Sequence, residues 1–394
     1  MIEALGTYLP VWGTVAGRVP GEDEDVVTMA VAAGLAALAG GSTPIDTVVL
    51  ISRDLPLLEG GNGPALLAGL DLESAVAVRE EIGGAPAALD ALCSAGPGTL
   101  VIAADVKGGA GAAAARCGRV GVAISSQGRV NRSLPVVTRD ASGTVTDYAD
   151  PRLLRERGVR KSLERLGPLG PVGAVAGLSR RDAELLTGAE LPGLPTSGAS
   201  AALFALAALA EGPEVRTVLA VEQAAVSLVE LGPGAVPVRR DEADPRPRPV
   251  TRPGGDAEIA ISLAAYERAF DAKLRLVADR CTTCGTLAYP HRFRCLTCGS
   301  ESETAPVALP RDAVIYTLAT IHVPVPGLST PYTVIVAELG DSAVRLLVRL
   351  TGAEAGSVHI GDRGRLVLRR VAVRTGVPDY GYAFYPDERA EVAA

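Results

Sequence analysis

The sequence predicts an α/β fold in two unequal parts: a layered, internally duplicated α/β region, then a metal-clipped segment leading into a small β-barrel. Three observations predict it. Strand-like apolar runs alternate with alanine-rich helical runs as far as Leu231. A charged, proline-rich seam follows from Gly232 to Gly255. Two Cys-x-x-Cys pairs then precede a stretch that, from Ala313 onward, reads as strands alone.

At 394 residues the chain is about two and a half times a typical domain, too long for one core. Hydrophobic residues at 48% and charged residues at 21% describe a folded globular chain, not a disordered one. Aromatics are 4% while glycines number 45, so the core is expected to use small side chains and close backbone contacts. A formal net charge of −7 argues against a nucleic-acid binder, which shows a basic excess. No apolar run approaches the roughly eighteen residues that cross a bilayer, so no membrane association is expected. The opening MIEALGTYLP has no basic n-region and reads as strand, not as an export signal. Six cysteines, four of them between 281 and 298, suggest a metal clip in a reducing compartment. A cytoplasmic chain is expected.

Taken in order, Asp23 or Asp25 is placed to cap a helix through Val26, Met29, Val31, Leu35 and Leu38. DTVVLIS, from Asp46, is the β-branched run of a buried strand. The strand SAVAVREE, the helix GAPAALDALCSA, the strand TLVIAAD at 99–105 and RVGVAISS from Arg119 complete the first half. A basic helix over Pro151–Leu166 interleaves Glu156 and Glu164 with Arg155, Arg157, Arg160, Lys161 and Arg165. It reads as a solvated face, with a CoA phosphate or an acidic partner as the other reading. A shorter echo follows: VGAVAG at 172–177, SRRDAELL, an alanine-rich helix from Ser197 to Ala210, then RTVLAVEQA and AVSLVELG. Each half sets an alanine-rich helix before an apolar strand, which suggests duplication.

Prolines 233, 237, 245, 247, 249 and 253 remove backbone donors and favour extended chain, so 233–255 reads as an interdomain linker. A proline-rich recognition motif is the alternative. Beyond it, Ile259, Leu263, Tyr266 and Phe270 form one helical stripe after a cap at Asp256, for core packing or for docking on a partner. AVIYTLATIHV, PYTVIVAEL, AVRLLVRLT, RGRLVLRRVAV and GYAFYP are then five short strands, enough for a small closed barrel.

CTTCG at Cys281 and Cys284 and CLTCG at Cys295 and Cys298 are two knuckles separated by ten residues. Each turns tightly enough to aim two thiolates at one point, and Gly285 and Gly299 tolerate the left-handed turn that follows. Four thiolates satisfy tetrahedral zinc with no open position, so the ion would supply folding energy and no Lewis acidity. A redox pair is the rival reading, but redox motifs do not normally come as matched pairs.

The segment from Tyr266 through the knuckles to Ser300, with AVIYTLATIHVPVPGLSTPYTVIVAEL, HIGDRGRLVLRR and YAFYP, resembles the acyl-CoA-associated OB-fold family with an N-terminal rubredoxin-like zinc ribbon. The likeness covers about 256 to 387. It implies docking against a catalytically competent thiolase- or ketosynthase-like protein, and help in forming a site or channel for a coenzyme A thioester. Tyr289, His291, Arg292 and Arg294 lie between the knuckles, where a cation could meet a CoA phosphate. A solvated ribbon loop is the alternative there.

The first 232 residues resemble the thiolase superfamily, near its 3-hydroxy-3-methylglutaryl-CoA synthase and ketoacyl-ACP synthase III branches. EALGTYLP, DEDVVTMAVAAGLAAL, DTVVLIS, GGAPAALDAL and PTSGASAALFALAAL carry the likeness. The resemblance implies a nucleophilic cysteine at the start of a buried helix, where the dipole lowers its pKa and amides hold an oxyanion. That position falls between Ile82 and Pro86, which holds no cysteine, serine or threonine. Cys93 lies at the wrong end of the helix and Cys117 just ahead of a strand; both read as small buried hydrophobes. All three histidines, His291, His322 and His359, follow the seam, so VGAVAGLSRRD offers no general base. Pro195 stands where the resemblance implies an asparagine. No catalytic residue is assigned.

The expected organisation is a degenerate thiolase-like domain over 1–232, the linker 233–255, a helix plus zinc ribbon over 256–311, and an OB-fold barrel with tail over 312–394. The expected function is a non-catalytic partner subunit of a multi-component thiolase- or ketosynthase-type acyltransferase complex acting on acyl-CoA; self-association into a homo-oligomer is compatible with it. One alternative is a condensing, acyl-transfer or aldolase-type enzyme with a non-standard site at Glu80 or Glu81. Another is nucleic-acid binding by the barrel through Arg345, Arg349, Arg363, Arg365, Arg369 and Arg370, weakened by the scarcity of stacking aromatics.

Overall fold

Every residue of the strands Thr99–Asp105 and Gly111–Cys117 is buried, so both faces of the sheet they form are covered. In the computed structural model, which describes residues 1–15, 17–140, 142–148, 150–212, 215–255, 260–301 and 303–387, they lie at the centre of a six-stranded mixed sheet. Its order is Val238–Glu242, Ile2–Leu9, Gly111–Cys117, Thr99–Asp105, Thr47–Ile51, Ala77–Glu81. A second sheet of four strands runs Ala174–Ala176, Thr217–Glu222, Ala225–Leu231, Ile124–Val130. Two helices, Ala85–Cys93 and Ser200–Glu211, share one core with residues of both sheets, among them Val101, Ala103, Val218 and Ala220. This is the duplicated, layered α/β arrangement expected. Small side chains are what let it close: a Cβ on Gly6 would stand 2.3 Å from the Ala37 amide nitrogen, so the strand and the helix Val26–Leu38 touch backbone to backbone.

Three elements differ from expectation. GAAAARC, for which no element was expected, is the central strand Gly111–Cys117, so Cys117 ends a strand and does not stand just ahead of one; neighbouring strands override alanine's helical preference because both faces must be filled by small groups. The strand expected from Arg119 begins at Ile124. Val238–Glu242, inside the segment expected to be linker, is a strand paired in parallel with Ile2–Leu9. The basic helix, in contrast, buries only Val159, Ser162 and Gly158; a Cβ on Gly158 would lie 2.4 Å from the Gln223 carbonyl oxygen, and the charges face solvent.

These layers belong to a unit made of Met1–Pro20, Met29–Gly63 and Ala75–Pro245. A second unit comprises Gly21–Thr28, Pro64–Ser74 and the chain from Arg246 onward. Its ribbon pairs Val277–Cys281 with Leu287–Ala288 on one side and Thr304–Ala308 on the other. Its barrel runs Arg345–Arg349, Tyr332–Leu339, Asp312–Ile321, Arg363–Arg374, Val377–Pro386, and a bridge between Leu350 and Phe384 joins the two ends of that order. The helix after the seam is Leu263–Leu274; Tyr266 and Phe270 are half-buried, Leu263 is exposed, and Asp256 and Ile259 lie outside the described residues.

The two early segments are bound into this second unit by polar contacts. Arg369, 3% exposed, sets Nη2 3.2 Å from Glu24 Oε1, itself buried. Tyr380 donates to Asp25 Oδ2 at 2.9 Å. Arg311 donates to the Gly69 carbonyl (2.9 Å) and to Asp71 (2.7 Å), and Arg275 to the Leu72 carbonyl (2.9 Å). Asp25 is also the expected cap: Thr28 N donates to its Oδ1 at 3.0 Å and its own amide donates to Thr28 Oγ1 at 2.8 Å. No described helix is long and apolar enough to cross a membrane.

Candidate metal centre and the two capped helices

The knuckles repeat one local geometry. In the first, the Cys281 amide donates to the Thr286 carbonyl (2.9 Å) and the Gly285 amide to the Cys281 carbonyl (2.9 Å). In the second, Cys295 donates to Ser300 (2.9 Å) and Gly299 to Cys295 (3.0 Å). Gly285 and Gly299 sit at φ 76° and 72°, the left-handed turn that the sequence led us to expect there. The turns bring the ligand atoms of Cys281, Cys284, Cys295 and Cys298 within 4.8 Å of one another. Cys281 and Cys298 sulfurs are 3.7 Å apart, and those of Cys284 and Cys295 3.6 Å. A regular tetrahedron with Zn–S bonds of about 2.3 Å has edges of about 3.8 Å, so the four thiols fit that ion. The Thr286 hydroxyl and amide hold the Cys284 thiol down to about 6, whereas Cys298, hydrogen-bonded to the other three sulfurs, is pushed up to about 11.

The four ribbon-loop residues do not converge on one site. Tyr289 donates to the Ala272 carbonyl at 2.8 Å, and Arg294 Nε to the Gly299 carbonyl at 2.9 Å, where it braces the second knuckle. His291 pairs with Asp279 and stands edge-on to Phe293. Arg292 is exposed.

At the start of the first buried helix, Gly84 is the cap residue and Pro86 lies in the first turn. Where the resemblance implies a thiolate, the Gly84 amide donates to Glu222 Oε2 at 3.1 Å, and Arg53 Nε pairs with the same carboxylate. The second buried helix is built the same way. Asp105, 3% exposed, accepts from the amides of Ala199 (2.9 Å) and Ser200 (2.7 Å) and from Ser200 Oγ (2.6 Å). Asp105 ends the strand Thr99–Asp105 and Glu222 ends Thr217–Glu222, so each half's strand supplies the carboxylate that caps the other half's helix. Burial pushes the Asp105 carboxyl up to about 6 despite those donors. Neither cap is marked in the sequence by a local pattern; the duplication is the signal that relates them.

Burial also pushes the Cys93 and Cys117 thiols up to about 11, Cys93 with help from Asp90, so both stay protonated near neutral pH. Glu80 accepts from the Gly63 amide (3.0 Å) and from Asn62 Nδ2 (2.6 Å), and Glu81 pairs with Arg79 at 2.6 Å. On the barrel, Arg345 stacks over Tyr316, 3.4 Å from the ring centroid, and pairs with Glu338 at 2.7 Å, while Arg369 is buried against Glu24. These cations are engaged within the protein.

Comparison with known proteins matches residues 271–303 to the rubredoxin-like zinc ribbon domain of ChsH2 and residues 306–369 to the C-terminal OB-fold domain of ChsH2. Among solved structures, an Ltp2-ChsH2(DUF35) aldolase chain is similar at 25% identity and TM-score 0.27, covering 35% of this chain and 98% of its own. A variant of Xanthomonas campestris OleA is similar at 16% identity and TM-score 0.47, covering 58% of this chain and 97% of its own. The family matches thus place a zinc ribbon and an OB-fold in the C-terminal part of the chain. A DUF35 domain-containing scaffold protein of Methanocaldococcus jannaschii is 31% identical over 117 residues, 29% of this chain and 82% of the relative. By that match the chain belongs to the family of DUF35 domain-containing scaffold proteins.

Proposed function

We propose that this chain is a non-catalytic partner subunit in a complex that processes acyl-CoA. A separate, cysteine-bearing thiolase- or ketosynthase-like protein does the chemistry. The carrying observation is at Gly84: the helix start that would activate a nucleophile presents a carboxylate from Glu222. A fixed anion there opposes both a thiolate and a developing oxyanion. Membership of a scaffold family supports the same reading.

In this reading the zinc-clipped ribbon and the barrel dock the catalytic subunit. Zinc held by Cys281, Cys284, Cys295 and Cys298 has no open position, so it maintains the ribbon's shape. Arg292, exposed between the knuckles, is the cation available to a CoA phosphate.

The test is purification of the full chain alone and after co-expression with a cysteine-bearing thiolase-type protein. Alone it is expected to turn over no acyl-CoA; together the two should co-elute and the mixture should be active. Turnover by the isolated chain that Cys93→Ala abolishes would overturn the proposal.

A further inference from the structure

A cavity of about 310 Å3 lies within the second unit, between the helix Leu263–Leu274 and the strands Arg363–Arg374 and Val377–Pro386. Its apolar wall is Ala265, Ala269, Phe270 and Leu274. Ile261 stands at the rim, where its amide donates to Thr375 Oγ1 at 3.3 Å. The polar wall holds the hydroxyls of Ser262, Tyr266 and Tyr380, the last spent on Asp25, and a charged cluster of three residues. Asp379, 7% exposed, accepts from Lys273 Nζ at 2.5 Å and from Arg374 Nε at 3.0 Å.

Two cations on one buried carboxylate leave one positive charge beside an apolar surface. Arg374 spends its Nε on Asp379; among the described residues its two terminal nitrogens donate to no protein acceptor. A planar guanidinium edge of that kind matches the two oxygens of a carboxylate. The single surplus charge suits a monoanion better than a phosphate monoester, which carries nearly two. The volume is close to the lower limit of ligand pockets, roughly 300 Å3, so the occupant is small.

We infer that this cavity binds a short- to medium-chain monocarboxylate, its head on Arg374 and Lys273 and its chain along Ala265, Ala269 and Phe270. The site is separate from the ribbon loop and from the capped helices. It stands whether or not the scaffold reading does.

Titration calorimetry on the zinc-loaded full chain tests it with three probes: octanoate, octan-1-ol as the chain without charge, and inorganic phosphate as charge without chain. Octanoate is expected to bind, and the other two at least about tenfold more weakly. Arg374→Gln should weaken octanoate by about tenfold or more, having removed a charge-assisted pair. Asp379→Asn removes the competing anion and should tighten it. Ala269→Phe, at an exposed helix position that tolerates a larger side chain, should fill the cavity and abolish binding with zinc content and melting temperature unchanged. No octanoate binding up to about 1 mM, equal binding of octanol, or full affinity in Ala269→Phe would each overturn the assignment.

Discussion

At Gly84 the absence of a side chain is what admits the Glu222 carboxylate: a Cβ there would stand 2.3 Å from Glu222 Oε1. Gly84→Ala should therefore expel the carboxylate and cost about 1 kcal/mol, the scale of a lost helix cap. In a Glu222→Ala background the same substitution should cost little, and urea midpoints around the double-mutant cycle measure the coupling. Additive costs would mean the carboxylate does not sit there. Asp105 makes a second prediction, with a definite sign. Its carboxyl is raised in the folded state to about 6, against about 3.9 unfolded, so the folded protein holds the proton more tightly. Its contribution is fully present below about pH 4 and is lost as pH rises through about 6. Wild type should then lose about 2–3 kcal/mol relative to Asp105→Asn across that window, read from paired urea midpoints at successive pH values. A pH-independent difference would refute the perturbed carboxyl.

Among the elements, the helix Val26–Leu38 ends on a turn whose carbonyls need partners. Arg116, from the central strand Gly111–Cys117, donates to the carbonyls of Leu38 (2.6 Å), Gly41 (2.6 Å) and Thr43, and its Nε stands 3.4 Å from Glu3. Glu3 in turn accepts from the amides of Ser42 (2.9 Å) and Thr43 (3.3 Å). Arg116→Met leaves three carbonyls without their donor, while the partly buried Glu3 keeps its two amide donors, so it should destabilise by about 2–3 kcal/mol, seen as a lower urea midpoint with unchanged slope. A loss below about 1 kcal/mol would show the pin to be dispensable. At this scale the sequence was legible where pattern is local. Asp25 as a cap, the β-branched run at Thr47–Ile51 and the two alanine-rich helices all follow from neighbours in the chain. The strand Gly111–Cys117 was not, because alanine carries no period when both faces are buried. Val238–Glu242 was hidden by the prolines around it, which mark extended chain without saying what it pairs with.

For the whole molecule, the zinc ribbon makes the sharpest forecast. Metal analysis of the purified chain should find one zinc, and a chelator should remove it. Thermal unfolding should then show one transition lowered by about 10 °C or more while another stays in place, since the cluster lies in one of two units. A melt unmoved by chelation, or Cys284→Ser retaining full zinc, would contradict a structural tetrathiolate site.

Read alone, the residues determined the metal ligands and the small-side-chain layered core. The four thiols are aimed by turns of five or six residues, and composition alone says that only close-packed backbones could fill such an interior. Tertiary structure decided the rest: that Glu222 lies on Gly84 across 138 residues of chain, that Asp105 caps a helix 95 residues away, and that Gly21–Thr28 and Pro64–Ser74 complete the second unit. Contacts of that span leave no local period in the chain. They arise because buried amides, carboxylates and guanidinium groups must find partners once the layers have closed, and only the closed layers fix which partner is within reach.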